Sequence, residues 1–196
     1  MAEVTLELIQ QLRERTGLGM MDCKKALQEA QGDVEKAIEL LRKKGSLLAE
    51  KRAGKETAEG IVHAYIHPGS SVGVLVEINC ETDFVARTKD MAEFANDIAL
   101  QIAAFRPVCV ESNEVDPALI EKERAIYREQ LDGKPAAIID KIIEGKLEKY
   151  YTDICLLSQP FIKDDKFTVG DVLKNLIAKV GENIKIKRFV RFEVGS

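Results

Sequence analysis

Apolar residues recur along this chain with two different periods, and the change of period divides it. Over residues 1–45 the spacing is helical. Leu8 and Leu12 lie one turn apart behind Thr5, a capping residue, with Val4 and Ile9 placed as a hydrophobic staple and Gly17 as the stop. A second helix is predicted from about Asp22 to Ala30, with Cys23, Ala26, Leu27 and Ala30 inward and Gly32 just beyond. In the third, Asp33 is the cap and Val34, Ala37, Ile38 and Leu41 fall at i, i+3, i+4 and i+7. Gly45 follows a basic last turn of Arg42, Lys43 and Lys44. Residues 46–59 (SLLAEKRAGKETAE) favour helix but carry few apolar anchors, so they read as a linker.

From there the pattern alternates. Residues 61–67 and 72–80 are β-branched and apolar, and Pro68-Gly69-Ser70-Ser71 between them supplies a turn, which predicts an antiparallel hairpin. Met91, Phe94, Ala95, Ile98, Ala99, Ile102 and Ala103 then form a helical stripe that must end before Pro107. Asp116-Pro117 opens a charged helix to about Gln130, closed by Asp132-Gly133. Helical signals at 135–144 and 146–157, broken at Gly145, predict a projecting helical hairpin. Thr168 caps a further helix with Val169, Val172, Leu173, Leu176, Ile177 and Val180 on one face and Gly181 at its end. In the last strand Ile184, Ile186, Val190, Phe192 and Val194 share the even positions, Arg188 excepted, while Lys185, Lys187, Arg191 and Glu193 face the other way. This strand is expected to join the hairpin. The fold class is therefore α+β: a three-helix N-terminal domain over 1–45, a linker over 46–59, and a core over 60–196 of small antiparallel sheet and packed helices.

Composition narrows the function. The 196 residues are 45% hydrophobic and 32% charged, enough for one ordinary core, and the net charge of −4 gives no basic field for gripping a phosphate backbone. A dedicated nucleic-acid binder is disfavoured. No run of 18 apolar residues exists, and the N-terminus lacks the basic and apolar regions of a signal peptide, so a cytoplasmic protein without membrane contact is expected. Cys23, Cys80, Cys109 and Cys155 form no CxxC pair and only His63 and His67 accompany them, so no zinc site, disulfide framework or cofactor is expected. Between residues 42 and 56 six Lys/Arg face two Glu; this surplus reads first as a solvated helical face and second as a docking surface for an acidic partner.

Cys80, His63, His67, Glu81 and Asp83 could on paper supply a thiol nucleophile, a base and an orienting acid. Cys80, however, ends an apolar strand, where cysteine is usually a small buried filler. No Gly-rich strand-to-helix loop offers a nucleotide site either. The pattern suits a protein that acts on another protein. Its unusual segment is Glu81-Thr82-Asp83-Phe84-Val85-Ala86-Arg87, where a bulky aromatic follows an acid just past a strand. Phe84 could turn back into the core with Asp83 capping a turn. It could instead be a loop-borne wedge, worth about 1.5–3 kcal/mol when desolvated in a partner's pocket.

Two longer motifs bear on that choice. Leu12-Arg13-Glu14-Arg15-Thr16-Gly17-Leu18-Gly19-Met20-Met21-Asp22-Cys23-Lys24-Lys25-Ala26-Leu27 resembles the first signature of the translation elongation factor Ts family. Glu77-Ile78-Asn79-Cys80-Glu81-Thr82-Asp83-Phe84-Val85-Ala86-Arg87 resembles the second, and the likeness continues in order to Gly181-Glu182-Asn183-Ile184. The resemblance implies a ubiquitin-associated-like N-terminal domain, a linker, and a core with antiparallel sheet and a helical coiled-coil hairpin. It also implies guanine-nucleotide exchange on elongation factor Tu, without covalent catalysis. Thr82, Asp83, Phe84 and Val85 would be the tip that dislocates that GTPase's Mg²⁺; Met20, Met21, Asp22 and Lys24 would contact its nucleotide domain, and the core would hold a second domain. A ribosome- or RNA-associated module, or a Cys80-dependent enzyme, are the alternatives. Longer family members carry a duplicated core subdomain, whereas this chain has material for one and resembles the short form. Pairing of two such sheets into a homodimer is the expected compensation, unless helices 89–105 and 169–180 cover one face and Lys185, Lys187 and Arg191 solvate the other.

Overall fold

The computed structural model describes residues 4–131 and 136–195. The architecture is α+β. In chain order the elements are α1 (Leu6–Thr16), α2 (Met20–Glu29), α3 (Val34–Arg52), β1 (Glu59–Ile66), β2 (Val72–Cys80), the single turn α4 (Asp83–Ala86) and α5 (Lys89–Phe105). They continue with α6 (Pro117–Gln130), α7 (Ala136–Ile154), β3 (Pro160–Phe161), β4 (Asp164–Thr168), α8 (Val169–Val180) and β5 (Ile184–Glu193). One sheet has the order β1-β2-β5 and a smaller one pairs β3 with β4. The chain divides into two compact units. One takes the residues up to Ile61 with Ile78–Ala92 and Asp171–Lys185; the other takes Val62–Glu77, Glu93–Gly170 and the chain from Ile186 on.

In the first unit the predicted caps operate. The Thr5 hydroxyl accepts the Leu8 N–H at 3.3 Å and Asp33 accepts the Lys36 N–H at 3.1 Å. Gly17 ends α1 in the left-handed conformation with its N–H on Arg13 O at 2.7 Å. Ile9, Leu12, Cys23, Ala26, Leu27, Ala30, Ala37 and Leu41 form the buried cluster that joins the three helices. Helix α2 begins two residues before the predicted start, because the Gly19 carbonyl accepts the Asp22 and Cys23 amides at 3.1 and 3.0 Å. Helix α3 runs through Gly45 to Arg52 and buries Ala49, so much of the stretch expected to be a linker is helix. Gly45 is no stop: a Cβ there would stand 3.3 Å from the Ala178 Cβ, so its smallness lets α3 lie close to α8. The basic run has specific partners too, with Arg42 on Asp171 at 3.8 Å, Lys44 on Glu29 at 2.7 Å and Arg52 on Glu81 at 3.2 Å.

Gly60 shows how tightly β1 lies against β2. A Cβ there would sit 2.3 Å from the Ile78 carbonyl oxygen and 2.8 Å from the Asn79 Cα, both backbone atoms that cannot step aside. Gly60→Ala should therefore cost about 2–4 kcal/mol. Urea unfolding checks it: the midpoint should fall with the slope unchanged.

In the second unit Asp116 accepts the Ala118 N–H at 2.8 Å and Pro117 opens α6, as expected. Arg124 pairs with Glu144 at 2.8 Å and Arg128 with Asp140 at 3.6 Å, so α7 runs back along α6; the helical hairpin is made by these two helices and not, as expected, by 135–144 and 146–157. Leu131, Ile143 and Leu147 are buried between the helices, with Ile120, Tyr127 and Tyr151 against them. The predicted break at Gly145 does not occur. An interior helical glycine costs about 1 kcal/mol against alanine, but only a positive φ would turn the chain out, and Gly145 has none. The expected stop at Asp132-Gly133 lies outside the described residues. Cys109 and Cys155, far apart in sequence, meet as a parallel β-bridge. The β3–β4 hairpin, too short to show alternation, is fastened by buried Gln101, which donates to Gln159 at 3.2 Å and to Pro160 O at 3.1 Å and accepts the Ile162 N–H at 2.8 Å.

The last strand corrects the prediction most. Ile184 and Ile186 are buried and Lys185 and Lys187 exposed, as expected, but Arg188 is exposed as well and the alternation then changes phase. Beyond that point Phe189, Arg191 and Glu193 are half-buried, while Val190, Phe192 and Val194 face water. Two consecutive outward residues are the signature of an extra residue in the strand. Arg191 is held inward by Ala103 O at 3.2 Å and Glu193 at 2.8 Å, whereas Arg188 meets Glu77 at 2.6 Å on the outward side. In this unit the outward side of the sheet exposes Val62 and Ile66 from β1, Leu75 from β2, and Val190, Phe192 and Val194 from the end of the chain.

Candidate functional site

The segment singled out by sequence is a capped turn tied at its base to two distant stretches of the chain. Thr82 has extended backbone (φ −130°, ψ 155°) and its hydroxyl accepts the Val85 N–H at 3.5 Å, which starts α4. The turn closes with the Arg87 N–H on Asp83 O at 3.2 Å, and the Thr88 hydroxyl accepts the Met91 N–H at 3.2 Å to begin α5. Val85 and Ala86 are buried. In one helical turn anchored at those two positions, the preceding two residues must point away from the core. Asp83 accordingly meets Arg87 at 2.9 Å on the surface, and Phe84 is 80% exposed. The core reading of Phe84 does not describe this side chain.

Backbone and side chain of Thr82 both donate to the Glu182 carboxylate, at 3.1 and 2.8 Å. The neighbouring Glu81 accepts the Asn183 N–H at 2.6 Å and pairs with Arg52 at 3.2 Å. Asn183 is itself buried and donates its carboxamide to Ala53 O at 3.4 Å and Lys55 O at 2.9 Å. Two stretches distant in sequence, 52–55 and 182–183, thus hold the base of the turn in place. Sequence reasoning missed Arg52, Glu182 and Asn183. Arg52 was read only as part of the basic run over 42–56, and the only signal for Glu182 and Asn183 was the Gly181-Glu182-Asn183-Ile184 stretch within the resemblance, where nothing marked the acid as the acceptor for Thr82. Glu182→Ala should leave two Thr82 donors unpaired and cost about 1.5–3 kcal/mol. Faster amide exchange at Thr82 and Val85, with α1–α3 unaffected, is the expected local readout.

The other predicted contact residues lie on α2. Met20, Met21, Asp22 and Lys24 are all exposed, while Cys23 among them is buried in the three-helix cluster. Two adaptable thioethers flanked by opposite charges make a surface able to fit a protein partner. Leu6 and Leu47 add exposed apolar area in this unit that sequence reasoning had not used.

The thiol-enzyme arrangement is not assembled. Cys80 is fully buried, its Sγ donates to Thr82 O at 3.1 Å, and burial, then the nearby Glu182, pushes its thiol up, away from the reactive thiolate. His67 shares a hydrogen bond of 3.0 Å with the Tyr65 hydroxyl, and among the described residues no hydrogen bond joins Cys80 to either histidine. Among the described residues there is likewise no group of three His, Cys, Asp or Glu placed to hold a metal ion, and no helix long and apolar enough to cross a membrane.

The family model for elongation factor TS matches residues 21–196. Over 194 residues the chain is 58% identical to the elongation factor Ts of Carboxydothermus hydrogenoformans, spanning 98% of this chain and 89% of that protein. It is 56% identical over 195 residues to the elongation factor Ts of Fervidobacterium nodosum, spanning 98% and 99%. The corresponding protein of Thermotoga petrophila is 54% identical over 193 residues, spanning 98% and 97%.

Proposed function

The chain belongs to the elongation factor Ts family, and from that premise we propose that it is a guanine-nucleotide exchange factor for the GTPase elongation factor Tu. The observation that carries this reading is Phe84, an exposed aromatic on a capped and rigidly based turn. Such a side chain gains by leaving water, and its fixed base lets that gain push against a partner. Asp83 and Phe84 reach the partner, while Thr82 and Val85 keep the turn in shape. Displacing the GTPase's Mg²⁺ removes charge that compensates the GDP phosphates, and GDP leaves faster. By linkage, the factor weakens GDP binding by the factor by which GDP weakens its own. No covalent step is involved. Residues 1–45 contact the nucleotide domain through Met20, Met21, Asp22 and Lys24, and the core over 60–196 holds a second domain. The protein acts in the cytoplasm, with no cofactor of its own and no direct contact with nucleic acid.

Release of labelled GDP from purified elongation factor Tu tests the proposal. Substoichiometric amounts of this protein should accelerate release many-fold, and an unchanged rate overturns the reading. Asp83→Ala should slow exchange while leaving the melting curve in place. A wild-type rate in that variant would remove the carboxylate from the mechanism.

The active form in this reading is a homodimer joined through the outward side of the sheet. Val62, Ile66, Leu75, Val190, Phe192 and Val194 expose apolar surface there, and a second copy related by a two-fold axis offers the same surface in return. Sedimentation under reducing conditions should give twice the chain mass of 21.8 kDa.

A further inference from the structure

We propose that Cys109 and Cys155 are a redox modification site: a hydroperoxide converts them into a reversible intramolecular disulfide that locks the base of the α6–α7 hairpin. This inference is independent of the exchange activity. The two residues are bridged partners, and the Leu156 N–H donates to the Cys109 carbonyl at 2.9 Å beside them. Bridged strands stand about 4.8 Å apart, inside the Cα separation that a disulfide spans. The thiols already face each other, with Sγ to Sγ at 3.5 Å. Forming the bond needs only about 1.5 Å of further approach, within reach of small side-chain rotations. Cys109 follows α5 and Cys155 follows α7, so the bond would close the segment 110–154, which contains both hairpin helices.

Access sets the order of steps. Cys109 is partly exposed and Cys155 fully buried, so the oxidant meets Cys109 first. The Cys109 thiolate attacks a peroxide oxygen and the O–O bond breaks. With hydrogen peroxide this leaves a sulfenic acid and, after the displaced hydroxide takes up the thiol proton, water. The Cys155 sulfur then attacks the sulfenyl sulfur, the S–O bond breaks, and the departing hydroxide takes the Cys155 proton as a second water. Two thiols have lost two electrons and the peroxide has gained them. Burial pushes the Cys155 thiol up to about 12 and raises Cys109 as well, with Glu114 adding to both. The pair is consequently slow, and answers sustained oxidant rather than a brief pulse.

The test treats the full chain with hydrogen peroxide, blocks remaining thiols by alkylation, and maps peptides without reduction. The expected product has lost the mass of two hydrogens, contains one Cys109–Cys155 link, and reverts with dithiothreitol. The Cys23→Ser/Cys80→Ser double variant should behave identically, and Cys109→Ser should lose the response. Amide exchange at Val110 and Leu156 should slow about tenfold or more in the oxidised chain, since opening the hairpin's base would then open a closed loop. An unchanged mass, a link between two copies, or Cys109 carrying extra oxygen with no link overturns the modification site. A link that leaves exchange at Val110 and Leu156 unchanged overturns the lock.

Discussion

Replacing Phe84 with alanine should slow GDP release from the partner GTPase by about 10- to 100-fold, while the free protein melts where the wild type does. The first figure follows from the roughly 1.5–3 kcal/mol gained when a phenylalanine leaves water, at a factor of ten per 1.4 kcal/mol. The second follows from position: Phe84 is 80% exposed, and truncating it opens no cavity. Were Phe84 a core residue, its loss would cost about 3–5 kcal/mol of stability. A variant that melts early and exchanges normally therefore overturns the wedge. Phe84→Leu should recover part of the rate, because a smaller apolar group still prefers the partner's pocket to water.

If the proposed dimer forms, Phe192→Asp should convert it to a monomer, moving the sedimenting mass from twice 21.8 kDa to that value. Phe192 is 67% exposed in the single chain, so its replacement leaves the monomer's fold intact. In a two-fold interface the substitution appears twice, once in each copy, and each carboxylate loses water without gaining a cation. That penalty, several kcal/mol per charge, exceeds the apolar gain the position could supply. A variant that stays dimeric places the interface elsewhere. A wild-type mass of 21.8 kDa removes the dimer altogether.

Legibility in the sequence followed the range of the interactions involved. The three N-terminal helices, the stripe from Met91 to Ala103 and the face from Val169 to Val180 were readable because their spacing is local, and the caps at Thr5, Asp33 and Asp116 confirm the local signals. Glycine misled where its role was tertiary. Gly45 and Gly145 look like stops in one dimension, yet the first is a point of close helix approach and the second an interior residue of a continuous helix. Strict alternation also misled in the last strand, since one added residue near Arg188 transfers Val190, Phe192 and Val194 to the opposite side from Ile184 and Ile186. At the site, the exposed pair Asp83-Phe84 could be picked out because an aromatic after a strand end is unusual. Its supports could not, as Arg52 on one side and Glu182-Asn183 on the other lie far along the chain from the turn and are brought to it only by the fold.

Asn183 makes one nitrogen atom matter to the ageing of the protein. Its amide group is buried and donates to the carbonyls of Ala53 and Lys55. Hydrolytic deamidation would replace that nitrogen with oxygen, leaving a carboxylate that can only accept and that faces two oxygens. Two attractions would become repulsions, with a buried charge left unpaired, at a cost of about 3–5 kcal/mol. The folded state therefore disfavours the product of this reaction, and a molecule damaged there while transiently unfolded would refold to a less stable protein.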